Sequence, residues 1–210
     1  MRFLFLSLTC LLTFTSCFEI LEKITMHKDG SGVLALTVDI SESAPALKTY
    51  LESAKMTGKN IPSQANINEM LSVLENHFQT ADGIANVQTV RDFDNYIFKI
   101  QGDFRDVAAM NAVMAKVTNS FTRGKLQGSV DNFVTDGNTF SRLFPYPLDS
   151  IKIENMGYMY QYMLESARFT NVYQFAQPVR AVSNKNAELN ADKTEVRMQQ
   201  SLASIIKGTG

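Results

Sequence analysis

Tryptophan is absent from the 210 residues, and histidine and cysteine occur only twice each. That leaves almost no material for a disulfide framework or for a Cys/His zinc site. His27, beside a turn signal, and His77, within a helical pattern, show none of the spacing of a metal-binding pair. There is no excess of either charge: 20 Lys and Arg stand against 21 Asp and Glu, a formal net charge of −1. Proteins that grip phosphate backbones usually carry a basic excess or a basic face, so nucleic acid is not an expected partner. No apolar stretch reaches the roughly 20 residues of a membrane-spanning helix. Also missing are the G-x-S-x-G nucleophile elbow and a lysine-containing phosphate loop. Gly30-Ser31-Gly32 has the glycines of such a loop but no following helix, and it reads as a hairpin turn. Asp92, Asp94, Asp103 and Asp106 are carboxylates near strand ends, where surface turns commonly place them, and Asp92-x-Asp94 lacks the other ligands of a calcium loop. These absences point to a protein that is not an enzyme and holds no metal or dissociable cofactor. The rest of the composition, 45% apolar and 20% charged, is that of a folded domain.

The most informative segment is MRFLFLSLTCLLTFTSC, residues 1–17. One positive charge, Arg2, precedes an uncharged and mostly apolar run from Phe3 to Phe14. This is the n-region and h-region of an export signal. The run ends in Phe14-Thr15-Ser16-Cys17, which resembles the bacterial lipoprotein box: an apolar residue, two small residues and the acylated cysteine. Phe14 stands where leucine is usual. The resemblance implies a signal peptide over residues 1–16, diacylglyceryl transfer to the Cys17 thiol, cleavage after Ser16, and palmitate-class acylation of the new amine. Each buried methylene contributes roughly 0.8 kcal/mol, and two lipid signals already anchor a protein stably. Cys10 leaves with the signal and Cys17 is consumed by lipid, so no disulfide forms within the mature chain. An ordinary secretory signal favours small residues at −3 and −1 of the cleavage site, which this segment fits less well. Phe18 rather than Asp follows the cysteine. By the sorting rules of such lipoproteins, that implies a cell-envelope location at the outer membrane.

Phe18 to Met26 is strand-like at once, with no Gly, Pro or Ser cluster to serve as a flexible linker. The mature domain, residues 17–210, therefore reads as a single unit held within roughly 10 Å of its anchor at about 3.3 Å per extended residue. A domain that close can meet lipids or an integral membrane partner directly; the same short spacing equally suits an anchor with no further role.

Residues 19–40 read as a hairpin around Lys28-Asp29-Gly30-Ser31-Gly32. Pro45–Lys55 reads as a helix, Met56–Ala65 as a loop, and Asn66–Thr80 as a helix capped by Asn66. In that second helix Ile67, Met70, Leu71, Leu74 and Phe78 keep a 3–4 spacing. Strands over Ile84–Arg91 and Tyr96–Phe104 follow. A third helix opens at Asp103 or Asp106, with Val107, Met110, Val113, Met114 and Val117 on one face. After a loop at residues 124–128, Val130–Thr135 and Thr139–Phe144 form a hairpin. Phe169–Ala176 and Glu195–Gln200 read as late strands, and Leu202–Lys207 as a short helix. Strands in hairpin pairs with helices inserted between the pairs predict an α+β fold with an antiparallel sheet, not a parallel βαβ fold.

One skew remains. Fourteen Phe, seven Tyr and ten Met accompany the missing Trp, and Met156, Tyr158, Met159, Tyr160, Tyr162 and Met163 crowd together just before Phe169, Tyr173 and Phe175. Methionine adapts to irregular apolar partners, and tyrosine offers apolar area with a polar tip. The cluster suits a lipid pocket or an interface; it equally suits ordinary core, which is the commoner use of such residues. The lipobox, the immediate strand leading into the Lys28–Gly32 turn, and the late segment Ser183–Gln200 together resemble the LppM-type lipoprotein domain and Bacteroidota-type lipoproteins. This resemblance, over the first and last parts of the mature chain, implies an α+β domain at the envelope that handles lipids. The expected function is thus a membrane-anchored, non-enzymatic lipoprotein binding an apolar ligand or lipid. The alternative is a structural or assembly subunit docking on an envelope protein complex, and a third reading is a hydrolase whose site follows none of the known motifs.

Overall fold

The computed structural model describes residues 18–57, 63–122, 131–143 and 165–206. Strand β1 (Glu19–Met26) pairs along its whole length with β2 (Gly32–Asp39), from Glu19 opposite Asp39 to Met26 opposite Gly32. The turn between them follows from its sequence. Gly30 takes φ +86°, open to glycine at no steric cost. The Asp29 carboxylate accepts from the Ser31 backbone N–H at 3.1 Å and the Ser31 hydroxyl at 2.7 Å. Gly32 is needed for a different reason: a Cβ there would run into the Thr25 carbonyl and the Phe104 ring.

A 3-10 turn at Ser41–Ser43 leads into α1 (Ala44–Met56), with Pro45 in its first turn. Helix α2 (Gln64–Gln79) begins earlier than its sequence pattern indicates, because Ser63 rather than Asn66 is the cap. Ser63 Oγ accepts from the Asn66 N–H at 3.2 Å, and Asn66 Oδ1 accepts from the Ser63 N–H at 2.9 Å, a reciprocal box. Leu71, Leu74 and Phe78 are buried, while Met70 is exposed, so the apolar stripe is narrower than the spacing implies. Strands β3 (Ile84–Asp92) and β4 (Ile97–Phe104) follow, with a bulge between Ala85 and Gln88. Asp106 opens α3 (Val107–Thr122) by accepting from the Ala109 N–H at 2.8 Å. A separate two-stranded ribbon, β5 (Phe133–Asp136) and β6 (Thr139–Arg142), comes next. The described chain ends with β7 (Arg168–Phe175), the two-residue β8 (Glu188–Leu189), β9 (Glu195–Ser201) and the short helix α4 (Leu202–Ile206).

Seven strands form one sheet in the order β3-β4-β2-β1-β7-β9-β8. The fold is α+β, a large antiparallel sheet of hairpins with helices between them. One neighbour pair differs: β1 and β7 run parallel, from Glu19 opposite Arg168 to Met26 opposite Phe175. Parallel neighbours require a long connection, and most of the chain separates these two. The core lies on one face of the sheet. Ile24, Met26, Leu34, Ile100 and Phe104 meet Leu74 and Phe78 of α2, and Met110, Val113, Met114 and Val117 of α3. The opposite face carries Lys23, Thr25, Thr37, Lys99 and Gln101 and, between them, the buried Ala35, Thr170 and Val172. Among the described residues no helix is long and apolar enough to cross a membrane.

Candidate functional site

The inward-facing positions of β1 are Ile20, Glu22, Ile24 and Met26, so strand periodicity drives a carboxylate into the core. Glu22 is only 1% exposed. The parallel register sets Asn171 opposite Glu22 and Tyr173 opposite Ile24, which puts all three polar side chains on the core face. Asn171 Nδ2 and the Tyr173 hydroxyl each donate to Glu22 Oε1 at 3.0 Å. The β5–β6 ribbon lies over this spot and brings Arg142 with it. Arg142 Nε donates to Oε1 at 3.2 Å and Nη2 to Oε2 at 3.0 Å, a two-pronged ion pair. Its remaining nitrogen, Nη1, donates to Asn132 Oδ1 at 3.1 Å and to the Leu143 carbonyl at 2.8 Å. The guanidinium sits 4.5 Å from the Phe133 ring centroid. Phe133 stacks on Phe140 at 5.6 Å, and Phe140 meets Tyr173 and Phe175 edge-on at 5.5 and 5.7 Å. Tyr173 and Phe175, at the end of the aromatic-rich stretch, are therefore core residues.

Taking two charges out of water is costly, and mutual attraction offsets it only when the remaining polar groups are bonded too. This cluster meets that condition. Burial first, and the Glu22 charge second, push the Tyr173 phenol far above its ordinary value. Tyr173 therefore stays protonated and serves as a fixed donor, not as a phenolate. Chemically the arrangement is a clasp that joins β1, β7 and the ribbon.

The other polar candidates are engaged one by one and do not converge. Ser31 donates to Asp29, while His27 Nδ1 lies 3.0 Å from the same hydroxyl. That is the reverse of a serine activated by a histidine. His77 Nε2 pairs with Ser120 Oγ at 2.7 Å, linking α2 to α3. Asp92 accepts from the Asn95 side chain and from the backbone N–H groups of Asn95 and Asp94, and these bonds, the Asn95 side chain foremost, hold its carboxyl below the usual range. Asp103 accepts from Asn86 Nδ2 at 2.6 Å. Asp106 is lowered by the Ala109 backbone N–H, then by Arg105. Asp92 and Asp103 stand at opposite ends of the β3–β4 pair. Among the described residues no three His, Cys, Asp or Glu side chains are grouped to hold a metal ion.

The residues singled out from sequence, Cys17 for lipidation and Met156, Tyr158, Met159, Tyr160, Tyr162 and Met163 as a pocket or interface, lie outside the described residues. Sequence reasoning passed over the Glu22–Arg142 cluster. The available signal was a glutamate in register with Ile20, Ile24 and Met26 on an apolar face.

No family model matches the chain, and no curated protein matches it. Among solved structures it is similar to the folded domain of LppM from Mycobacterium tuberculosis, determined by NMR. The identity is 10% and the TM-score 0.41, over 88% of this chain and 82% of that one. A likeness that distant brings no role to this protein.

Proposed function

We propose that this protein is a bacterial envelope lipoprotein, acylated at Cys17 and anchored at the outer membrane, that binds an apolar ligand or lipid without catalysing a reaction. One observation carries the reading: the uncharged run from Phe3 to Phe14 closes on Phe14-Thr15-Ser16-Cys17, and β1 begins only two residues later, at Glu19. The absence of a linker favours work done at the membrane surface. The saturated bonding around Glu22, whose carboxylate takes donors from Asn171, Tyr173 and Arg142, gives that residue a structural task at the junction of β1, β7 and the ribbon. The Met156–Met163 segment is the first place to look for the apolar ligand.

The test is mass spectrometry of the N-terminal peptide of the protein purified from bacterial membranes, together with lipid extraction of the same sample. Acyl mass on Cys17, its loss in Cys17→Ser, and a co-purifying lipid at fixed stoichiometry are the expected results. A free thiol at Cys17 overturns the anchor. Acylated protein that carries no lipid overturns the carrier role and favours docking on an envelope complex.

A further inference from the structure

We infer that one end of the large sheet is the bilayer-facing surface of the protein, an inference that rests on acylation at Cys17. The strand registers define a continuous row across six strands: Asp92 of β3, Ile97 of β4, Asp39 of β2, Glu19 of β1, Arg168 of β7 and Ser201 of β9. With neighbouring strands about 4.8 Å apart, the row is about 24 Å wide. Glu19 follows Cys17 by two residues, so their Cα atoms are at most about 7 Å apart. A cysteine held at the membrane by its acyl chains thus brings the whole row to the headgroup layer. The opposite end, with the Lys28–Gly30 turn and the Asn190–Lys193 turn, stands about 23 Å further out at about 3.3 Å per residue of β1.

What surrounds this row suits an interface. Phe18, Phe93, Tyr96 and Leu202 are all half-buried there, beside strand ends. Phe93 packs edge-on against Phe98 at 5.1 Å, and Lys48 of α1 lies 5.8 Å from the Tyr96 ring centroid. Aromatic rings and snorkelling cations are the side chains that settle at the headgroup level. The end is also stitched together by backbone bonds. The Ile40 N–H donates to Tyr96 O at 3.1 Å, the Arg168 N–H to Phe18 O at 2.9 Å, and the Leu202 N–H to Ala167 O at 2.9 Å. The chain's short reach from the anchor therefore meets a fixed platform. Acidic groups at the same end, Glu19, Asp39, Glu42, Asp92 and Asp94, exceed its Lys48 and Arg168, so the anchor sets the orientation and charge does not.

The experiment uses the full-length protein, processed and acylated in a bacterial host. It is reconstituted into phosphatidylethanolamine–phosphatidylglycerol vesicles carrying nitroxide-labelled lipid. Asp94→Cys at the proposed face, and Lys28→Cys and Asp192→Cys at the far end, are exposed positions that accept a fluorophore. Cys17 is already occupied by lipid and does not compete for it. Quenching by the nitroxide lipid is expected to be several-fold stronger at Asp94→Cys than at either distal site. Equal quenching at all three sites, or stronger quenching at Lys28→Cys, overturns the orientation while leaving the anchor intact. Protein that fails to float with the vesicles overturns the acylation reading, and the orientation with it.

Discussion

Glu22 Oε1 takes hydrogen bonds from three side chains, so removing this carboxylate strands more than its ion-pair partner. Glu22→Leu leaves the Arg142 charge buried, and Arg142→Met leaves the Glu22 charge buried. Each single change is expected to cost about 3–5 kcal/mol. The double variant removes both charges but still deprives Asn171 and Tyr173 of their acceptor, at about 1–3 kcal/mol for each buried group. It should therefore recover part of the loss and remain below wild type. Urea midpoints for the four proteins of the cycle check this, and a double variant as stable as wild type would contradict it. At this scale half of the cluster was legible. The alternation Ile20-Glu22-Ile24-Met26 marks Glu22 as a charge on an apolar face. Its partner lies 120 residues away along the chain, and no local pattern joins the two.

Among elements, the β5–β6 ribbon is the exposed case, because it pairs with no strand of the large sheet. A two-stranded hairpin alone is marginal in water. Besides Arg142 and the phenylalanine stack, Asn111 of α3 holds it. Its Oδ1 accepts from the Asn132 and Phe133 N–H groups at 3.0 and 2.9 Å, and its Nδ2 donates to the Phe133 carbonyl at 2.7 Å. One side chain thus substitutes for a neighbouring strand. Asn111→Leu should speed amide hydrogen exchange in β5 and β6 by about 10- to 100-fold while leaving β1–β2 protected. Uniform acceleration everywhere would mean that the ribbon opens only with the whole domain. Most elements were readable from period and punctuation, including the first hairpin, α2, β3, β4 and α3. The start of α2 was misplaced because a Ser63–Asn66 box uses asparagine where glutamate or glutamine is usual. Strand β8 went unseen because two exposed residues carry no alternation.

For the molecule as a whole, Tyr173 gives a pH signature. Its phenol is raised from the ordinary 10.0 in the folded state. The unfolded chain therefore loses that proton first. The contribution is fully present below pH 10 and is lost as pH rises above it, at roughly 1.4 kcal/mol per pH unit for one proton. Stability of wild type should fall more steeply above about pH 10 than that of Tyr173→Phe, which lacks the titrating group. Denaturation midpoints across the alkaline range measure the difference, and parallel curves would show that Tyr173 ionises freely in the folded protein. The steepness is a global property because Tyr173 lies where β1, β7 and the ribbon meet.

The sequence by itself determined most of the local structure: the strands and helices that carry a clear side-chain period, the glycine turn at Gly30, and the apolar faces of α2 and α3. These follow from side-chain period and backbone sterics, which act over a few residues. It also contains the whole case for export and acylation, since that case is a short linear motif. Only the tertiary structure decided that β7 joins β1 in parallel, that Glu22 finds Arg142, and that Glu19, Asp39, Ile97 and Arg168 form one row at one end of the sheet. Those outcomes depend on which strands become neighbours, and strand order is chosen by burying all the apolar faces at once rather than by any segment's own pattern.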